Sequence, residues 1–302
     1  MARANLRDKM KQGLLLLDGA MGTQLSARAI EPGKCHDYTN IESPETVLDV
    51  HHAYLEAGSD AVITNTFGAN KYALARHGLP DEVARINTAG TQIARRAAGE
   101  QKYVLGDIGP CGDFLEPLGM VKPDELRQAF AAQAKALIEG GVDGIIIETM
   151  TALDEIVIAI EAAKSVCGDL PVFASMAFDR AGETFKTMMG VGVEDFITTV
   201  LPLGIDAIGF NCGTASLDEY VELSGKLVSL VKASGADVAV FAEPNAGKPE
   251  LIDGDAVYSV TAEDFAEAVK KIHAAGINII GGCCGTTPNH IAAAARRLRN
   301  PD

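Results

Sequence analysis

The sequence predicts a (β/α)8 TIM barrel folded as a single domain over residues 1–302, and three observations lead there. A short pattern of Gly, any residue, Asp or Asn, then an apolar run recurs along the chain. It stands at Gly58-Ser59-Asp60-Ala61-Val62, Gly141-Val142-Asp143-Gly144-Ile145, Gly204-Ile205-Asp206-Ala207-Ile208, Gly235-Ala236-Asp237-Val238 and Gly276-Ile277-Asn278-Ile279. Each copy follows a segment with helical periodicity, as where Leu126, Phe130, Ala134 and Leu137 recur at spacings of four, four and three. No Pro/Ser-rich tract or low-complexity segment marks a domain boundary.

Each element follows from its own chemistry. Gly after a helical segment is the expected residue past the C-cap, free to take positive φ. The apolar run after it fits a strand buried on both faces, as in parallel sheets. Three further strands, Leu14–Asp18, Tyr103–Asp107 and Val172–Met176 behind the Pro171 breaker, complete the count. The strands then begin near residues 14, 61, 103, 144, 172, 207, 238 and 277. Eight strands alternating with helices favour the closed barrel over its rival, a doubly wound open sheet.

Bulk properties narrow the function classes. The net charge of −15 argues against nucleic acid, whose binding draws on clustered Lys and Arg. The polar opening MARANLRDKM carries no signal-peptide core, and no apolar run reaches the length of a membrane span. The reading is a cytoplasmic protein with neither nucleic-acid nor membrane partner. Six cysteines in such a chain point to metal or catalysis rather than to a disulfide framework.

In a (β/α)8 barrel the chemistry sits at the C-terminal strand ends. Here those ends carry Asp18, Asn65-Thr66, Asp107, Glu148, Met176, Asn211-Cys212, Glu243 and Cys283-Cys284. Alone, Cys212 in GFNCG reads as a buried small hydrophobe, and the vicinal pair in IIGGCCGTTP as a packed turn or a redox pair. Together, on strands 6 and 8 of a closed barrel, the three thiols can converge into a zinc site with one open position. The glycines Gly281, Gly282 and Gly285 are expected to supply the backbone angles that let adjacent side chains reach one ion. Such a zinc ionises a bound substrate thiol.

Other strand-tip residues have two readings each. Backbone N–H groups around Gly19–Gly22, after Asp18 in LLLDGAMGTQL, can cradle a carboxylate, or the segment is a plain Asp-Gly turn. Asp18 and Glu148 can hold a substrate ammonium; Glu148 can instead pair with a rim cation. Thr66 can donate its hydroxyl to substrate or cap a turn. Asn245, in Glu243–Pro249, can fill the fourth zinc position in the substrate-free state or simply shape a loop. Gly190-Val191-Gly192 lacks the third glycine of a dinucleotide fingerprint. His51-His52 read as surface or core residues, Cys35 and Cys167 have no partner pattern, Cys111 in GDIGPCG reads as a lining residue near the strand-tip face, and Met188-Met189 as core or pocket wall.

LLLDGAMGTQL, TNTFGAN, GDIGPCGDFLEPLG, NCG, EPNAGKP and GGCCGTTPNH together resemble the homocysteine S-methyltransferase family over nearly the whole chain. Within it the likeness is to the homocysteine-binding module of cobalamin-dependent methionine synthase. The resemblance implies a zinc (β/α)8 barrel that methylates homocysteine to methionine, with Cys212, Cys283 and Cys284 as ligands. It implies substrate contacts at Asp18, at the following turn with Ala20 and Met21, at Glu148 and at Thr66. The Asp-x-His-x-x-Gly signature that holds a corrinoid is missing, so the expected donor is a methyl-corrinoid protein on a separate chain. S-methylmethionine or a betaine is the alternative donor. A non-catalytic zinc- or thiol-binding subunit of a larger assembly, or a redox enzyme using the vicinal thiols, is the reading from a different class.

Overall fold

In the computed structural model, residues 3–28, 34–248, 250–252 and 255–299 are described. Eight parallel strands form the barrel: β1 (Leu15–Leu16), β2 (Ala61–Ile63), β3 (Tyr103–Ile108), β4 (Gly144–Met150), β5 (Val172–Met176), β6 (Ala207–Asn211), β7 (Ala239–Glu243) and β8 (Ile279–Ile280). In the sheet their order is β1-β8-β7-β6-β5-β4-β3-β2. Backbone pairing covers every neighbour except β1 and β2, where Asp60 bridges the seam. Its N–H donates to Leu16 O at 2.6 Å while its carboxylate accepts from Leu16 N at 3.0 Å.

That bridge explains the recurring Gly-x-Asp. Asp143 makes the same pair of bonds with Val104, and Asp206 with Val172, all between 2.8 and 2.9 Å. The aspartate thus pins each strand to its predecessor at the start of the register. Arginines then neutralise it: Arg3 and Arg95 on Asp143, Arg7 on Asp206, Arg299 on Asp60. The glycine two residues before it takes positive φ in all five copies, at Gly58, Gly141, Gly204, Gly235 and Gly276. An L side chain there would be strained.

The core has two main layers. Leu15, Leu17, Leu105, Ile146, Phe173, Phe241 and Ile279 fill the barrel interior, and Leu6 from the helix Leu6–Lys11 joins them from the N-terminal end. Outside, helices such as Pro123–Gly140 press Leu126, Phe130, Ala134 and Leu137 onto the sheet, the face that the periodicity predicts.

The structure departs from expectation in detail. β1, β7 and β8 start one or two residues late, at Leu15, Ala239 and Ile279. Two antiparallel hairpins, Asp179–Ala181 with Thr184–Lys186 and Glu250–Ile252 with Asp255–Val257, follow β5 and β7. Met188 and Met189 are exposed rather than core. His51 is fully buried, with neither ring nitrogen hydrogen-bonded. No helix among the described residues is long and apolar enough to cross a membrane.

Candidate metal centre and substrate pocket

A cavity of about 530 Å³ opens at the C-terminal end of the barrel, and its wall includes Cys212, Cys283, Cys284, Glu148, Asp107 and Glu243. A larger recess at the opposite end is lined by Arg3, Arg7 and Asp143, whose charges are already paired with one another or with Asp206.

The three thiols converge as expected. Cys284 Sγ lies 3.9 Å from Cys212 Sγ and 4.0 Å from Cys283 Sγ, and all three sulfurs fall within 4.8 Å of one another. This is a group that can hold a metal ion. Cys212 reaches it from a left-handed backbone, φ 55°, followed by Gly213 at 81°. A Cβ on Gly213 would meet Phe178 O at 2.4 Å, so only glycine can follow Cys212 here. Tyr220 Oη clamps the bend by donating to Cys212 O at 2.7 Å.

The vicinal pair is held by backbone bonds to the β7 tip. Cys283 N donates to Pro244 O and Ala246 N to Cys284 O, both at 2.9 Å. Of the three flanking glycines only Gly285 takes positive φ, 79°. Gly281 and Gly282 serve space instead. A Cβ would stand 2.9 Å from Leu17 Cβ at the first and 2.7 Å from Thr286 at the second. The unusual angles expected of all three glycines thus fall on Gly285 and on Cys212 itself. Hydrogen bonds from Cys212 and Cys283 pull the Cys284 thiol down to about 3.

Carboxyl groups crowd the same floor. Burial, then the negative Cys284 sulfur, raises Glu148 to about 7. Burial, then the charge of Glu148, pushes Asp107 and Glu243 well above the carboxylate range. Asp107 Oδ1, Glu243 Oε2 and Asp18 Oδ1 are buried without a hydrogen-bond partner. Orphaned polar atoms at such depth call for a hydrogen-bonding partner.

Asp18 lies under this floor rather than on the cavity wall; its Oδ2 accepts from Ile63 N at 3.0 Å and ties β1 to β2. Ala20 and Met21 do line the cavity. The Ala20 N–H is taken by Thr286 Oγ1 at 3.0 Å, whereas Met21 opens the helix Met21–Ser26, where first-turn N–H groups lack helical acceptors. Thr66 also lines the cavity, but its hydroxyl donates to Asp107 O at 2.9 Å and contacts Thr64 Oγ1 at 2.6 Å. Asn245 is buried, its Nδ2 donating to Gly213 O at 2.6 Å and its Oδ1 unpartnered. Pro249, which ends that loop motif, lies outside the described residues.

A second network joins the Ala20 turn to the cysteine turn. Thr286 Oγ1 donates to Cys283 O at 2.7 Å while accepting from Ala20, and Tyr54 Oη reaches both Ala20 O and Thr286 O. Sequence reasoning placed Asp107, Asn211 and Glu243 at strand tips without giving them a site role, and missed Thr149, Thr286 and Tyr54. Asn211 and Thr286 stand inside the NCG and GGCCGTT motifs, which was their available signal. Tyr54 and Thr149 carried none.

The family model described as homocysteine S-methyltransferase matches residues 15–298. The methionine synthase of Mycobacterium tuberculosis is 36% identical over 320 aligned residues, 99% of this chain and 26% of that protein. The methionine synthase of Mycobacterium leprae is 34% identical, over 98% and 25%. The chain therefore spans about a quarter of the length of these relatives. Among solved structures, the metallated homocysteine methyltransferase MmuM from Escherichia coli superposes with a TM-score of 0.76 at 25% identity, covering 95% of this chain and 97% of that one.

Proposed function

The chain belongs to the homocysteine S-methyltransferase family, and from that premise we propose that it holds zinc on Cys212, Cys283 and Cys284 and methylates homocysteine to methionine. The observation that carries the reading is the sulfur spacing. Ligands about 2.3 Å from a tetrahedral zinc stand about 3.8 Å apart, and the Cys284 sulfur lies 3.9 and 4.0 Å from its two neighbours. Three protein thiolates suit zinc and leave one position for the substrate sulfur. Zinc, when bound, supplies the deprotonation of that thiol at neutral pH.

The chain's own residues do the rest. Glu148, with the orphaned oxygens of Asp107, Glu243 and Asp18 behind it, receives the substrate ammonium. The turn at Ala20 and Met21 receives the carboxylate through the Met21 end. Thr66 acts at one remove, fixing the Asp107 tip through its carbonyl. Asn245 Oδ1 is the oxygen we assign to the position that the substrate thiol later takes. Gripping both ends of the amino acid aims the sulfur along one line toward the cavity mouth, which supplies proximity and orientation. Free thiols of this kind persist in a reducing compartment, and we place the protein in the cytoplasm.

The donor we favour is a methyl-corrinoid carried by a protein, in keeping with the higher identity to the methionine synthases. Zinc-loaded protein incubated with homocysteine and, in turn, methylcobalamin, S-methylmethionine, glycine betaine or methyltetrahydrofolate tests this. Methionine from methylcobalamin supports the reading. Methionine only from S-methylmethionine or betaine reassigns the donor, and none from any donor leaves a thiol-binding subunit.

A further inference from the structure

We propose that Asn211 is a positioning residue that ties recognition of the substrate ammonium to the sulfur centre through a single amide; the inference rests on the functional reading above. Asn211 ends β6, is fully buried and precedes Cys212. Its Oδ1 accepts from Thr149 N and from Ser175 Oγ, both at 2.8 Å. A backbone N–H can only face an oxygen, so the amide cannot be turned over. Nδ2 therefore points into the cavity, where three acceptors meet it: Thr149 Oγ1 at 2.6 Å, Glu148 Oε2 at 3.0 Å and Cys283 Sγ at 3.8 Å.

Two hydrogens serve three acceptors. The closest, Thr149 Oγ1, takes one. Glu148 and Cys283 share the other, so what happens at the carboxylate is felt at the sulfur. An ammonium arriving on Glu148 satisfies that carboxylate and releases the N–H toward Cys283. Removing the donor strips both groups at once.

The backbone around this amide is also unusual. Thr149 has φ 60°, an outlier for a β-branched residue, and the β4 register with β5 shifts between Ile147 and Met150. Strain of this kind persists only where neighbours over-determine it. Here the bonds from Asn211 to the Thr149 backbone and side chain do so, next to Glu148 on the cavity wall.

The test uses the full chain and the near-isosteric Asn211→Asp, which keeps the acceptor for Thr149 and Ser175 but removes the Nδ2 donor. Zinc affinity is read by competition with a chromophoric chelator. Thiol recognition is read as the ratio of affinities for L-homocysteine and 4-mercaptobutyrate, which lacks the ammonium. Asn211→Asp is expected to lower zinc affinity about tenfold or more, in the range seen when a group behind a metal ligand is lost, and to collapse the ratio. Glu148→Gln, which keeps an amide oxygen to accept the shared N–H but loses the charge, is expected to collapse the ratio and keep zinc affinity, which separates the coupled role from a loss of the carboxylate. A mainly structural role for Asn211 would lower the melting temperature and leave both readouts in place. An Asn211→Asp protein unchanged in either readout overturns the inference while the functional reading stands. Wild-type chain that holds neither zinc nor homocysteine overturns both. Should the aspartate variant fail to fold, Asn211→Ser carries the same two measurements.

Discussion

Glu148 offers the sharpest test of how the cavity recognises an amino acid. Its carboxyl is raised to about 7, mainly by burial. A protonated carboxyl cannot pair with an ammonium, so recognition should strengthen as pH rises through that value. For a group titrating near 7, the ionised fraction is roughly a tenth at pH 6 and nine-tenths at pH 8, a change of about tenfold or about 1.4 kcal/mol. Thiol binding releases a proton of its own and steepens any raw profile in the same direction. The affinity ratio of homocysteine to 4-mercaptobutyrate removes that contribution, because both ligands bring the same thiol. Isothermal titration of the zinc-loaded protein at pH 6, 7 and 8 should show the ratio climbing, by about tenfold at most because zinc on Cys284 removes the second cause of the shift. In Glu148→Gln it should be low and flat. A wild-type ratio that does not move between pH 6 and 8, or one that climbs equally in the variant, refutes the assignment of the ammonium to Glu148.

Three further outcomes are expected. Cys283→Ser should lose zinc and methyl transfer together while its far-UV circular dichroism stays native; full turnover in that variant is incompatible with the mechanism. Thr286→Val takes the acceptor from the part-buried Ala20 N–H, which costs about 1 kcal/mol, and it unpins the turn to which we assign the substrate carboxylate. Denaturant melts should register that loss alongside weaker homocysteine binding, and an unchanged midpoint would mean that the Thr286 bridge carries no weight. His51, lowered to about 3 by burial and then by His52, is neutral in the native state while the unfolded chain protonates near 6.5. The unfolded state then binds more protons between those values, so stability is lost as pH falls from 6.5 toward 3, by about 2 kcal/mol at pH 5. His51→Phe should remove that slope, as urea midpoints at pH 7 and 5 would show; equal acid loss in both proteins would place the sensitive group elsewhere.

The barrel was legible because its signals are local and repeated. Gly-x-Asp or Gly-x-Asn marks a helix end and a strand start within three residues five times along the chain, and at Asp60, Asp143 and Asp206 it is also a register pin. The three cysteines were legible for a related reason: their chemistry is rare, and each lies just past an apolar run. What stayed hidden depends on contacts between strands. Nothing near Thr149 in sequence announces a left-handed threonine, because the bonds that hold it come from Asn211, 62 residues away. Asp18 reads as a site residue from its position, yet its Oδ2 is spent on the β1–β2 seam, which only barrel closure creates. Glycine was misread in role rather than in place. Gly281 and Gly282 are needed for room beside Leu17 and Thr286, while the strained angle passes to Cys212. The hairpins after β5 and β7 have arms of three residues, too short for a period to register.

The central claim is that three protein sulfurs hold zinc and leave one position for the substrate thiol. Zinc K-edge absorption on the loaded protein, recorded before and after L-homocysteine, addresses it directly. Three sulfurs at about 2.3 Å with one light ligand should become four sulfurs when the substrate binds. A protein that retains no zinc, or whose sulfur count does not rise with homocysteine, contradicts the account.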